Sequence, residues 1–322
     1  MEKPKKKKKK NIITTVILLL ILVFGLSLLL YPTISNQWNK YRSSKAIAVF
    51  EQALESTDED ALAQMIQDAE EYNRMLATIG IQWEPDEALL ARYYDTLDAF
   101  DNGMFGYIEI ERISCRLPVY HGTSDSVLQT AIGHIEGSSL PVGGESSHCL
   151  LSGHTGLPSA RLFTDLSQLA EGDRFLLRTL DRVLTYEVDR INIVLPYELD
   201  LLRIEPGEDL CTLTTCTPYG INSHRLLVRG HRVENDAESE VIRVTCDALK
   251  IDPLIVALVT AVPVLLITFT ALFVADSWKS RKMRRLAAEK PPEADEPSDR
   301  PEPSDSDEPS DDSLRKEEND ES

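Results

Sequence analysis

A mainly β domain, led by a helical segment and flanked by two transmembrane helices, is the fold class that this 322-residue sequence predicts. Three observations point to it. Two long runs, 12–31 and 254–275, carry no charged residue. Apolar residues recur at helical spacing between positions 46 and 97. From Gly106 onward the chain breaks into short β-rich runs separated by Gly, Pro, Asn and Ser.

The N-terminus, 1–11, holds the block Lys5 to Lys10, and the uncharged run 12–31 follows it. A helix of that length rises about 30 Å, enough to cross a hydrocarbon core. A secretory signal has a shorter apolar core and a small-residue cleavage site, and Tyr31-Pro32-Thr33 is a poor one. The run 254–275 is interrupted only by Pro263, which a membrane helix tolerates. Lys279, Arg281, Lys282, Arg284 and Arg285 flank its far side, so the positive-inside tendency puts both termini in the cytoplasm and residues 32–253 outside the cell. The lysine block also suits anionic membrane lipids. Beyond the basic cluster, residues 286–322 hold 4 basic and 15 acidic residues, and from Glu289 the composition is that of a disordered tail. With 34 Lys and Arg against 53 Asp and Glu, the chain carries a net charge of −19, which excludes a nucleic-acid partner.

The outer region begins with a helical segment, 32–103. Ala46, Val49, Phe50, Ala53 and Leu54 share one face; Leu62, Met65, Ile66, Ala69 and Leu76 share another, after the start signal Thr57-Asp58-Glu59-Asp60. A third helix is predicted over 85–100, with Leu89, Leu90, Tyr93, Tyr94 and Leu97 inward. The β domain, 104–235, is predicted to hold strands at 106–110, 117–120, 149–153, 174–180, 183–194, 210–216 and 225–233, with one helix over 159–169. Such a set closes into a barrel or packs as a sandwich. A juxtamembrane stretch, 236–253, leads to the second span.

Chemistry is best sought where strands end. Cys216 closes Thr212-Leu213-Thr214-Thr215-Cys216 ahead of the turn Thr217-Pro218-Tyr219-Gly220, and Arg225 opens the next strand, so a hairpin brings the two together. His154 closes another strand. A thiolate that attacks a carbonyl, an imidazole that protonates the leaving amine and a guanidinium that stabilises the oxyanion would together run acyl transfer. Residue types alone leave the plainer readings open: a lone Cys is often a small buried hydrophobe, and His and Arg are often structural.

The run from Thr212 to Cys216, with Arg225 nine residues on, resembles the sortase signature, and its surroundings resemble the class C, pilus-assembling branch. The similarity takes in Gly106-Tyr107-Ile108, Leu117-Pro118-Val119-Tyr120-His121-Gly122-Thr123, Gly133-His134, Ser139-Leu140-Pro141-Val142-Gly143-Gly144, Ser152-Gly153-His154, Thr217 to Asn222 and His224 to Gly230. The resemblance implies a closed eight-stranded sortase-type β-barrel on the outer face of a Gram-positive cell membrane. It implies a cysteine transpeptidase with catalytic His154, Cys216 and Arg225, which cleaves a Leu-Pro-X-Thr-Gly-like sorting signal after Thr and holds the acyl group as a thioester. The partners it implies are pilin or surface-protein sorting signals and an acceptor lysine amine of the next pilin; no metal or organic cofactor is implied. The alternatives are a wall-anchoring sortase using a peptidoglycan-precursor amine, and a non-enzymatic surface binding protein.

Many class C sortases carry a lid with an Asp-Pro-aromatic tripeptide. Here the corresponding stretch is Ile81-Gln82-Trp83-Glu84-Pro85-Asp86, which lacks it. Two readings stand: Trp83 plugs the site with Glu84 facing Arg225, or Trp83 packs on the helices and Glu84-Pro85-Asp86 starts the next helix. Of the five cysteines, Cys149 and Cys211 are expected as buried thiols, with a disulfide among Cys115, Cys149, Cys211 and Cys246 as the lesser alternative, while Cys211 and Cys216, five positions apart on one strand, face opposite ways and do not pair. His121, His134, His148, His224 and His231 show no metal-ligand spacing.

Overall fold

The computed structural model describes residues 5–100 and 102–235 together with Trp278, with side chains from Ile17 onward. The predicted second span at 254–275, the juxtamembrane stretch 236–253, Cys246 and the acidic tail lie outside the described residues.

One helix among the described residues is long and apolar enough to cross a membrane. Helix α1, Lys5–Glu55, runs unbroken through Pro32, and its apolar part reaches a mean hydropathy of 2.6 with none of it buried against the rest of the protein. Its far end joins the domain: Ile47 and Phe50 are buried in the core, and Phe50 meets Phe100 edge-on at 5.5 Å. Glu51 accepts hydrogen bonds from the Tyr107 hydroxyl at 2.5 Å and from Arg116 at 3.4 Å.

Helix α2, Glu59–Ile79, starts where Asp58 accepts the Asp60 amide at 2.9 Å and ends where the Gly80 amide reaches Leu76 O at 2.7 Å. Its buried face carries Leu62, Ile66, Ala69, Tyr72 and Leu76. Asn73 on that face clamps the barrel loop at Leu140, donating to its carbonyl at 2.9 Å and accepting its amide at 2.7 Å. Helix α3 is Glu87–Asp95, capped by Asp86 accepting the Leu89 amide at 2.8 Å. It stops short of the predicted end at residue 100. The Thr96 hydroxyl takes Arg92 O at 2.7 Å, and Leu97 turns to φ +65°, which no helix continues. A four-residue turn of helix, α4, follows at Asp125–Leu128.

Eight strands form a closed barrel in the order β1-β2-β3-β4-β7-β8-β6-β5. They are β1 Met104–Ile110, β2 Cys115–His121, β3 Ile132–His134, β4 Ser147–Ser152, β5 Arg174–Thr179, β6 Arg182–Val194, β7 Asp209–Thr217 and β8 His224–Val233. The pairs β2–β3 and β4–β7 are parallel; the others are antiparallel. Strand β3 is missing from the strands read off periodicity, because three residues are too few to show a period. The helix expected over 159–169 reduces to one 3-10 turn, Leu166–Gln168. The Phe163 amide is committed to His154 O at 3.1 Å, and Leu162 sits at φ +36°, so the i to i−4 ladder cannot form there.

Two buried histidines brace the structure. His121 faces Thr96 O at 2.8 Å and Gly103 O at 3.2 Å. His148 donates from Nδ1 to Arg203 O at 2.7 Å and meets the Thr212 hydroxyl through Nε2 at 2.7 Å. Burial holds each ring down at about 4, against the ordinary 6.5. As pH falls from 6.5 toward 4 the unfolded chain takes up protons that the folded chain refuses, so stability drops across that window and levels off below it. We expect a loss of about 2 kcal/mol per histidine between pH 7 and pH 4.5, read from urea midpoints, with His148→Gln removing its share of the slope.

Candidate active site

Register pairs two of the three polar residues singled out in the sequence, and the strand that leads to the third runs beside them. Strands β7 and β8 pair so that Cys216 and Arg225 are Cα partners. Strand β4 runs parallel to β7 with Ser152 beside Thr214, and continuing that register by two residues sets His154 level with Cys216. All three side chains are partly exposed. Cys211 and Leu213 of β7 turn into the core, whereas Cys216 turns to the outer face, as the five-residue offset requires.

Two bonds tie the ends of β4 and β7 together. The Thr215 hydroxyl donates to Gly153 O at 2.6 Å, and the Gly153 amide donates to Thr214 O at 3.1 Å. The residue before Cys216 is thus bonded to the residue before His154. A Cβ at Gly153 would stand 2.6 Å from both Ile132 Cδ1 and Phe163 Cδ2, side chains that are themselves fully buried. Gly153→Ala should therefore push His154 off its position and lower turnover by about 10²-fold, measurable as product formation with the fold verified by circular dichroism.

The thiol of Cys216 makes no hydrogen bond to the His154 ring or to Arg225. Arg225 turns Nη1 to Asn222 O at 3.5 Å and His224 O at 3.3 Å, long contacts that an arriving carboxamide or oxyanion can replace. The turn between the strands is closed by the Ile221 and Asn222 amides on Pro218 O, both at 3.0 Å. From that turn the exposed ring of Tyr219 reaches back to Gly156, where a Cβ would lie 3.2 Å from it.

Sequence reading missed an apolar patch on the same outer face. Leu150, Leu202 and Leu227 are buried there with Ile81, Ile135, Val194, Leu199 and Leu201 around them. Its signal was present in Leu226-Leu227-Val228, where a strand that faced solvent on one side would alternate. The loop between β6 and β7 is tied to the barrel at two points: Arg229, which also bonds Asp189 of β6 at 3.1 Å, bonds Glu205 at 2.6 Å, and His148 donates to Arg203 O at 2.7 Å. Ile81 belongs to the stretch between α2 and α3, where the Gln82 amide reaches Gly137 O at 3.0 Å. Within that stretch Trp83 is 39% exposed, Glu84 is exposed and makes no ion pair with Arg225, and Asp86 caps α3. Among the described residues no cluster of three or more His, Cys, Asp or Glu could hold a metal ion.

The barrel has relatives among known proteins. Residues 108–233 match the model of the Sortase domain family. The chain is 49% identical to sortase C1 from Streptococcus agalactiae, with a TM-score of 0.59, covering 60% of this chain and 100% of that one. It is 40% identical to sortase C from Streptococcus pneumoniae, with a TM-score of 0.53, covering 59% of this chain and 97% of that one. Sortase D of Bacillus subtilis (strain 168) is 29% identical over 131 residues, 40% of this chain and 63% of that protein.

Proposed function

The chain belongs to the sortase family, with class C sortases among its structural neighbours, and from that premise we propose that it is a membrane-anchored cysteine transpeptidase that polymerises pilins. The observation that carries the reading is the register that pairs Cys216 with Arg225, supported by β4, which runs parallel to β7 and ends two residues before His154. The Cys216 thiolate attacks the threonine carbonyl of a Leu-Pro-X-Thr-Gly-like signal, and Arg225 holds the oxyanion through its fixed fork of donors. His154 gives its proton to the departing glycine amine, leaving a thioester. A pilin lysine amine then attacks the thioester, His154 takes a proton back, and an amide forms as the thiol is released. The pneumococcal relative is a sortase C with pilin substrate specificity, which supports lysine as the acceptor over a peptidoglycan-precursor amine. The apolar part of α1 supports the anchor, and the second, C-terminal span remains part of the proposal.

The test is intact-mass analysis of the full chain incubated with a Leu-Pro-X-Thr-Gly peptide library. An acyl adduct resolved by a lysine-bearing pilin peptide supports polymerisation; resolution only by a peptidoglycan-precursor amine makes the protein a wall-anchoring enzyme. Trp83 and Glu84 enter as candidate lid residues. Since Asp86 caps α3 and Glu84 leaves Arg225 unpaired, Trp83→Ala should change peptide hydrolysis by less than about twofold, the range of an ordinary exposed substitution; a many-fold rise would make the stretch a lid.

A further inference from the structure

We infer that Cys149 and Cys211 are the site of a buried disulfide that staples β4 to β7 when the chain folds in an oxidising compartment. Of the four described cysteines, these two alone are register partners; Cys115 pairs with Ile110 and Cys216 with Arg225. Neighbouring strands lie about 4.8 Å apart, inside the ~4.4–6.8 Å range of Cα separations found for disulfides, and closing the bond draws the two Cβ atoms a few tenths of an ångström together, to about 4.5 Å or less. Residues in matched register on parallel strands point the same way, and both stand as free thiols in the barrel core, 2% and 0% exposed.

The step is a thiol–disulfide exchange with a small-molecule disulfide as oxidant. One cysteine's thiolate attacks the oxidant and releases its first thiol; the second cysteine's thiolate attacks the mixed disulfide and releases the other. Two S–H bonds become one S–S bond, and the two electrons end on the oxidant, which leaves as two thiols. Exchange precedes final closure of the barrel, since the finished core admits no reagent.

The position of the staple gives it a purpose. Cys149 lies five residues before His154 and Cys211 five before Cys216, so the bond fixes the register of the two strands that carry those residues. The inference rests on the extracellular placement proposed above only for its oxidant.

The test supplies that oxidant itself, so failure here is distinguishable from failure of the function. The full chain in detergent is unfolded with reductant and refolded into oxidised glutathione or into reductant. The folded fraction is then denatured with an alkylating reagent, digested without reduction and mapped by mass spectrometry. We expect a linked Cys149–Cys211 peptide in the oxidised sample, two alkylation sites fewer than in the reduced sample, and a higher urea midpoint. Cys149→Ala and Cys211→Ala should each abolish the difference between the two redox conditions. Separate alkylation of Cys149 and Cys211 in the oxidised folded fraction, or a link from either to another cysteine, overturns the inference.

Discussion

Cys216→Ala should lower transpeptidation by at least about 10⁴-fold and abolish the acyl adduct, while leaving the melting curve unchanged. The thiol is the only nucleophile in the proposed scheme, and neither His154 nor Arg225 can carry an acyl group in its place. It is partly exposed and bonded to neither neighbour, so its removal leaves no buried polar atom unpaired and opens no cavity in the core. Substitutions of that kind shift stability by within about 0.5 kcal/mol. Intact mass with a sorting peptide reads the adduct, and a thermal scan on the same sample reads the fold. A variant that still forms the adduct would place the nucleophile elsewhere; one that unfolds would make Cys216 a structural thiol.

Gly106→Ala should be the opposite case, a large loss of stability at a position remote from the chemistry. Gly106 pairs with Thr179 where β1 meets β5. A Cβ there would lie 2.0 Å from the backbone oxygen of Arg178 and 3.1 Å from Cα of Thr179. Because the clash is with main chain, no rotamer change relieves it; the strands must part. Parting them removes ladder bonds and lets water reach Ile108 and Leu177, which are buried on the inner face. We expect a loss on the order of 3 kcal/mol or more, a fall of about 6–12 °C in Tm for a unit of this size. Differential scanning calorimetry checks it, and an unchanged Tm would show that β1 and β5 do not meet at Gly106.

Local periodicity located seven of the eight strands and helix α2, because each is long enough to repeat its pattern. It could not supply β3, or the ends of α3, where one threonine hydroxyl and one positive φ decide the boundary. The helix expected over 159–169 failed for a related reason: Leu162, Phe163, Leu166 and Leu169 have helical spacing, yet a long-range bond from Phe163 to His154 overrides it. The hairpin joining Cys216 to Arg225 was legible, since eight residues separate them in sequence. That β4, which leads to His154, runs beside β7 was not legible from periodicity, because a parallel contact between the two joins residues about sixty positions apart and leaves no local trace. The apolar face around Leu150 and Leu227 went unread for want of knowing which side of β8 looked outward.

The continuity of α1 makes the anchor a strut. From Tyr31 to Glu55 the helix rises about 36 Å, and its far end is clamped by Phe50 in the core and by Glu51 on Tyr107 and Arg116. With its apolar stretch in a bilayer, as proposed, such a part holds the barrel at a set altitude and heading, where a flexible tether would let it sweep a volume. Substrates that are themselves rooted in the same bilayer then meet the thiol only when their own stalks present the sorting signal at that height. On the proposed function, encounter between enzyme and pilin becomes a search in two dimensions along the membrane plane, and the length of one helix selects which partners arrive in reach.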